Sequence, residues 1–302
     1  MQDFEFFEPR TVEEACHLLA QFQGKARPLA GGTDLIVDLK VKKLTLEAVV
    51  NLKKIEGLNR ITFNPGEGLR IGALVTWTQI LDSQAVGEHY SVLRQAAETM
   101  GSMHVRNLAT LAGNICHASP AANGSIPLLL YEAECEIQGP EGARVTPMER
   151  LLVGVNKTTL QSGEILTGIR IPLPPAKSKG VYYKFALRRA VDLGIVGVGT
   201  LVTTENGFFE DVRIALGAVA PKPFRARGAE RVLLGKGIEG QLIRKAAEEA
   251  SSECSPVTDI RASKEYRVEL IKELTSRAIR ESLPEYALAR LGDSLRGCRI
   301  IS

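Results

Sequence analysis

The 302-residue chain carries 38 basic and 35 acidic side chains, a formal net charge of +3, with 44% hydrophobic and 24% charged residues. That length accommodates one large domain or two ordinary ones, and the composition excludes a disordered chain. Near-neutral charge, with no stretch interleaving basic and aromatic residues, excludes a nucleic-acid surface.

The opening residues MQDFEFFEPR hold acidic groups and no apolar core, and no aliphatic stretch reaches membrane-spanning length. The expectation is a cytoplasmic protein with no secretory signal and no membrane span. Cys16, Cys116, Cys135, Cys254 and Cys298 are widely separated and form no CxxC pair, and His17, His89, His104 and His117 match no ligand spacing. This argues against a disulfide scaffold, a zinc knuckle or a self-contained iron–sulfur cluster, so any redox group held by this chain is expected to be organic, with no metal site.

In chain order, Thr11 and Glu14 read as a capping box opening a helix with Val12, Ala15, Leu18, Leu19 and Phe22 on one side. A strand at Ala26–Ala30 ends at Gly31-Gly32. Thr33 starts a second amphipathic segment, and Ala48–Leu52 reads as another strand. The polar turn Asn64–Gly68 is expected to separate this α/β unit from a second one. There Leu69–Val75 reads as a strand, Thr76 and Gln79 repeat the capping box, and Tyr90–Met100 reads as a helix. Residues 101–125 are small and polar without periodicity, which predicts a binding stretch with little regular structure. Ile126–Tyr131 leads into a helical turn, and Glu164–Leu173 reads as a strand.

The segment PLPPAKSKG, residues 172–180, is the expected domain boundary. Beyond it Val181–Arg188, Gly194–Val202 and Phe209–Ala218 read as three strands, with Asn206-Gly207 as a tight turn. A helix follows at Ser263–Arg280.

Two glycine-containing segments carry the functional expectation. In PLAGGTDL, residues 28–35, glycines between strand and helix let the backbone approach a ligand, and a helix start offers N–H groups to a pyrophosphate. The alternative is a tight turn with Thr33 as helix cap. The segment matches neither GxGxxG nor GxxxxGK[ST]. In RNLATLAGN, residues 106–114, small residues, backbone donors and the Thr110 hydroxyl form a second cradle, although Arg106 could equally pair with a surface carboxylate and Asn107 and Asn114 could cap turns. Two cradles gripping one diphosphate suit a body as long as FAD. Ser119–Ser125 is turn-prone enough to carry ribityl or flavin contacts. Lys184, flanked by Tyr182, Tyr183 and Phe185, either points its ammonium at an anionic flavin or phosphate or sits exposed on a half-buried strand. Arg188, Arg189 and Asp192 read as a structural ion-pair network.

The ordered pieces PLAGGTDL, LRIGALVTW, RNLATLAGNICHASPAANGS, GEILTGIRIPLP and YYKFALRRAVDLGIV resemble the medium, FAD-binding subunit of the molybdenum hydroxylases of xanthine dehydrogenase and carbon monoxide dehydrogenase type. The resemblance implies an α+β fold: an FAD-binding domain of two α/β subdomains, then a C-terminal domain with a three-stranded antiparallel sheet and helices. The domains would span 1–175 (subdomains about 1–58 and 59–175) and 181–290, with a tail at 291–302. Leu29, Ala30, Gly31, Gly32, Thr33, Asp34, Leu35 and Ile36 would wrap the FAD diphosphate. Ala109, Thr110, Leu111, Ala112 and Gly113, with Asn114 beside them, would form the second cradle. Leu166 would pack near the flavin, and Lys184 would be a polar contact. The family's double glycine is here Ala112-Gly113, which implies a shifted contact, and its SPxxD appears as SPAAN, with Asn123 where a carboxylate is expected.

The resemblance further implies partners: a large subunit with a molybdopterin-type molybdenum cofactor and a small subunit with [2Fe–2S] clusters, assembled as a dimer of heterotrimers. Electrons would pass from those clusters through FAD to NAD or another acceptor, with no catalytic acid–base pair in this chain. Two other expectations stand beside it, a self-contained flavin-dependent oxidoreductase and a non-catalytic assembly or sensor protein that has lost FAD.

Overall fold

In the computed structural model, which describes residues 3–188 and 191–290, the chain divides into two units. Arg189, Cys298 and the expected tail at 291–302 lie outside the described residues. The first unit takes the chain up to Glu88 together with Met100–Ser119 and Tyr131–Leu173. It starts with β1 (Glu5–Phe7), α1 (Val12–Gln21), β2 (Ala26–Leu29), α2 (Leu35–Lys40) and β3 (Ala48–Asn51), whose strands pair in parallel in the order β1-β3-β2. β3 is buried throughout because both faces are covered: Ala48 and Val50 pack with Ala15, Cys16 and Leu19 of α1, and Val49 packs with Leu39 of α2. Thr11 caps α1, accepting from the Glu14 N–H at 3.1 Å, but the Glu14 carboxylate accepts from the Arg10 N–H at 2.9 Å instead of closing the box on Thr11.

The turn Asn64–Gly68 does not separate two units. It joins β4 (Ile61–Asn64) to β5 (Gly68–Gly72) in a hairpin, because Ile61 and Phe63 supply a strand before the turn as Leu69 and Ile71 do after it. With β6 (Glu134–Gly139), β7 (Gly142–Pro147) and β10 (Ile165–Ile171) they form an antiparallel sheet of order β4-β5-β10-β6-β7. Across it, the Glu136 carboxylate bridges Arg70 at 2.7 Å and Arg170. β8 (Leu152–Gly154) and β9 (Lys157–Thr158) make a small separate hairpin after α9 (Met148–Leu151).

α3 (Trp77–Asp82) begins at Thr76, whose capping box with Gln79 is complete on both arms. α4 (Gln84–His89) follows. Residues 101–125 hold more regular structure than expected. α6 (Met103–Arg106) and α7 (Leu111–His117) lie within the stretch, capped by Ser102 and Thr110 side chains that accept from Val105 and Gly113 N–H groups at 3.3 and 3.0 Å. Helices this short are dominated by their caps, so small polar residues replace the apolar period that would have announced them.

The second unit contains His89–Thr99, Pro120–Leu130 and the described residues from Pro174 on. Its antiparallel sheet is β11 (Lys179–Phe185), β12 (Val196–Glu205) and β13 (Phe208–Gly217), extended at one edge by the two-residue β14 (Phe224–Arg225). Asn206 and Gly207 make the tight β12–β13 turn with φ of 53° and 85°, as an Asn-Gly pair allows. On one face, Val198, Val202, Ile214 and Leu216 form a core with α10 (Arg227–Leu233), α11 (Gly240–Ser252), α12 (Lys264–Glu281) and α13 (Glu285–Arg290). On the other face α8 (Ser125–Leu130) presses Ile126 onto the glycine-lined strands β12 and β13, and α5 (Ser91–Glu98) fixes β11 through Gln95, which accepts from the Tyr182 N–H at 2.8 Å. Among the described residues, no helix is long and apolar enough to cross a membrane.

Candidate functional site

The turn after β2 is unusual in its hydrogen bonding. α2 starts at Leu35, not Thr33, and its capping position, Asp34, makes no side-chain cap bond. Ile36 N–H reaches back to the Gly32 carbonyl at 3.0 Å, but among the described residues the N–H groups of Gly31, Gly32, Thr33, Asp34 and Leu35 meet no acceptor in the chain. A run of unpaired backbone donors in a glycine turn is an anion cradle, with glycine at position 32 supplying the φ of 73° that the turn needs. Thr33 is thereby not the helix cap that its chemistry also allowed.

The second segment is braced against the end of the hairpin sheet. Trp77 N–H donates to the Ala109 carbonyl at 3.1 Å and Leu111 N–H to the Val75 carbonyl at 3.3 Å, which sets Thr110 at the start of α7. The two segments then touch. A methyl group built on Gly31 would stand 2.0 Å from the Leu108 carbonyl oxygen and 3.0 Å from the Ala109 Cα, so only a residue without Cβ permits this approach.

Both segments line one cavity of about 640 Å³, within the range of small-molecule and cofactor sites. Of the expected residues, Leu29 through Leu35 line it, as do Ala109, Thr110, Ala112, Gly113, Asn114 and, from β10, Leu166. Five do not. Ile36 packs with Leu39, Leu46 and Val49, and Leu111 is fully buried in the core, because the helical period turns both away from the turn that precedes them. Among the described residues Arg106 pairs with no carboxylate and instead donates to the Met100 carbonyl at 2.9 Å. Asn123 and Lys184 belong to the second unit. Asn123 is buried, with both donors committed to Thr99 Oγ1 at 3.0 Å and the Ala96 carbonyl at 3.3 Å. The Lys184 ammonium donates to the Thr99 carbonyl at 3.3 Å; burial pulls it below the ordinary lysine value, with Asp192 opposing the shift. Asp192 accepts from the Arg188 N–H at 3.1 Å and lies 3.7 Å from its guanidinium.

Ala112, in the place of the expected double glycine, lies in the first turn of α7 and is not among the residues of positive φ, so its methyl group fits a helical backbone. Ala112→Gly is therefore expected to cost about 1 kcal/mol of stability through helix propensity, read as a small fall in melting temperature; a gain in stability would contradict the helical placement.

The cavity also uses residues with no sequence signal. Arg27, Asp38, Lys43, Asn156, Gln161, Ser162 and Glu164 line it. Asn156 is tied by its N–H to the carbonyl of Ala118, the left-handed residue ending α7, at 2.9 Å. Lys43 pairs with Asp38 at 3.2 Å, so the cavity holds charges of both signs. A bound anion would rely on the backbone donors more than on side-chain charge. The residues present fit FAD in this respect: unpaired donors for a diphosphate, then apolar walls from Leu29, Leu160 and Leu166. Cys116 also lines the cavity, and burial raises its thiol to about 12, which keeps it protonated and a poor nucleophile.

Comparison with known proteins follows this geometry. The family model for the FAD binding domain in molybdopterin dehydrogenase matches residues 2–174, and that for the CO dehydrogenase flavoprotein C-terminal domain matches residues 181–282. The chain is 32% identical over 285 residues to the xanthine dehydrogenase FAD-binding subunit of Escherichia coli O157:H7, covering 94% of this chain and 97% of that one. It is 30% identical to the glyceraldehyde dehydrogenase medium chain of Sulfolobus acidocaldarius, covering 92% and 98%. Among solved structures, it matches carbon monoxide dehydrogenase from Hydrogenophaga pseudoflava, a form lacking the Mo-pyranopterin moiety of its cofactor, with a TM-score of 0.90, 29% identity and coverage of 93% and 97%.

Proposed function

The chain belongs to the FAD-binding flavoprotein family of the molybdenum hydroxylases, and on that premise we propose that it is the FAD-carrying, electron-transferring subunit of a multi-subunit molybdenum and iron–sulfur oxidoreductase. The observation that carries the proposal is the meeting of Gly31 with Leu108 beside five unpaired N–H groups, on the wall of one cavity. Bound there, FAD would supply the electron-carrying chemistry. The protein's own groups would bind and orient it: the 31–35 N–H groups on the diphosphate, Thr110, Gly113 and Asn114 from the second turn, and Leu166 as an apolar wall. No side chain is required to transfer a proton. Lys184 remains a proposed FAD contact on the family resemblance, as does Asn123, which stands where the family's pattern has a carboxylate.

In the assembly we propose, a large molybdenum-cofactor subunit and a small [2Fe–2S] subunit complete a heterotrimer that dimerises, and electrons leave through FAD to NAD or another acceptor. Titration of the purified full chain with FAD tests the first step. One FAD is expected to bind per chain with the appearance of a bound-flavin spectrum, and the mass of the denatured chain should be unchanged, since no histidine or cysteine falls within residues 28–35 or 106–114. Failure to bind FAD would end the proposal. Turnover of an organic substrate by the chain alone would favour a self-contained flavin oxidoreductase instead.

A further inference from the structure

One wall of the cavity is a strap that ends in a turn, with the Glu164 N–H donating to the Gln161 carbonyl at 3.0 Å. Leu160, Gln161, Ser162 and Gly163 line the cavity, and the strap they form has no helix or strand of its own. What holds it is an ion pair at its end. Arg144 of β7 faces Glu164 in a forked contact, Nε to Oε1 at 2.6 Å and Nη2 to Oε2 at 2.7 Å. The same Nη2 donates to the Thr159 carbonyl at 3.2 Å, at the far end of the strap, and Glu164 Oε2 accepts from the Gln161 N–H at 2.7 Å. One arginine and one carboxylate thus tie both ends of the strap together. Gly163 seats it: at φ 87°, a Cβ there would lie 2.9 Å from Pro140 Cγ and 3.0 Å from Ala20 Cβ, between the β6–β7 turn and α1.

We propose that the Arg144–Glu164 pair is a positioning clamp for the cofactor cavity, holding Leu160, Gln161 and Ser162 as a wall against bound FAD. The proposal rests on the functional reading above. A solvent-facing ion pair alone contributes little, and Arg144 is 38% exposed while Glu164 is 13% exposed. The bidentate geometry and the added backbone bonds distinguish this pair, since guanidinium and carboxylate match in both spacing and plane. Its effect should therefore appear in the shape of the cavity more than in the stability of the fold.

The test uses the full chain and four proteins: wild type, Arg144→Ala, Arg144→Lys and Glu164→Gln. FAD affinity is measured by titration, the visible circular dichroism of bound flavin reports the shape of the wall, and thermal melting of the FAD-free chain reports the fold. Arg144→Ala and Glu164→Gln are expected to weaken FAD binding about tenfold, the size typical of losing a supporting shell around a bound group. Both should alter the flavin dichroism, with FAD-free melting within about 2–4 °C of wild type. Arg144→Lys should recover part of the affinity, because an ammonium keeps the charge but not the fork. Wild-type affinity in the variants would overturn the clamp, as would an affinity loss matched by a fall in FAD-free melting beyond that range. If an alanine variant fails to fold, the near-isosteric Glu164→Gln decides the question. A wild-type chain that binds no FAD would instead refute the cofactor assignment.

Discussion

Gly31→Ala is expected to abolish measurable FAD binding and to destabilise the first unit by about 3 kcal/mol or more. The new methyl group would meet the Leu108 carbonyl at 2.0 Å, a backbone atom with no rotamer through which to retreat. Leu108 cannot simply withdraw. Its neighbour Ala109 is held on both sides, its N–H donating to the Val105 carbonyl at 2.7 Å and its carbonyl accepting from Trp77. Relief must come from moving the Gly31–Leu35 turn, which carries the five unpaired N–H groups. Stability and cofactor binding should therefore fall together. Melting curves with and without FAD, alongside titration, check both effects, and a variant with wild-type melting and affinity would mean that the two turns do not touch.

Arg225→Ala is expected to lower the stability of the second unit by about 3–5 kcal/mol, the cost of removing one partner of a buried ion pair. Arg225 and Glu230 are 4% and 9% exposed, and the Glu230 carboxylate also accepts from the Ile214 N–H in β13 at 2.9 Å. Without the guanidinium, that carboxylate keeps the Ile214 bond and an exposed arginine, Arg227, at 3.6 Å. For a domain of this size the loss corresponds to a fall in melting temperature of about 10 °C. Because β13 lies in the middle of the sheet, the whole unit should melt earlier, without a separate transition confined to α10. Unchanged melting would show that the pair is exposed in solution.

Salt bridges of the first unit predict its response to acid. The Arg144 hydrogen bonds lead in holding the Glu164 carboxyl below the usual glutamate value, and Arg70 and Arg170 hold Glu136 low against its burial. Groups with depressed folded values stabilise the protein above the ordinary carboxylate range and lose that contribution as pH falls through the depressed values.

Much of the local architecture was legible residue by residue. Thr76 with Gln79 and Asn206-Gly207 each specify a cap or turn through one side chain or one backbone conformation, and each stands where its chemistry predicts. The two cradle segments were legible for the same reason, since small residues between apolar runs have few other uses. Elements defined by their partners were not. β1 is three residues with none buried, and becomes a strand only by pairing with β3. The β6–β7 hairpin and the strap at 159–163 carry no glycine-rich or helical signature strong enough to announce a site, yet they supply Arg144 and a wall of the cavity.

By itself, the sequence determined several of the caps, turns and strands and which short segments could face a ligand, because periodicity, caps and turn residues act over a few neighbouring positions. Only the tertiary structure decided that Gly31 lies against Leu108, that Ile36, Leu111 and Arg106 turn away from the cavity, and that His89–Thr99 and Pro120–Leu130 pack in the second unit. Those outcomes depend on which apolar faces find each other across tens of residues of chain, a balance set by burial and close packing rather than by any local run of residues.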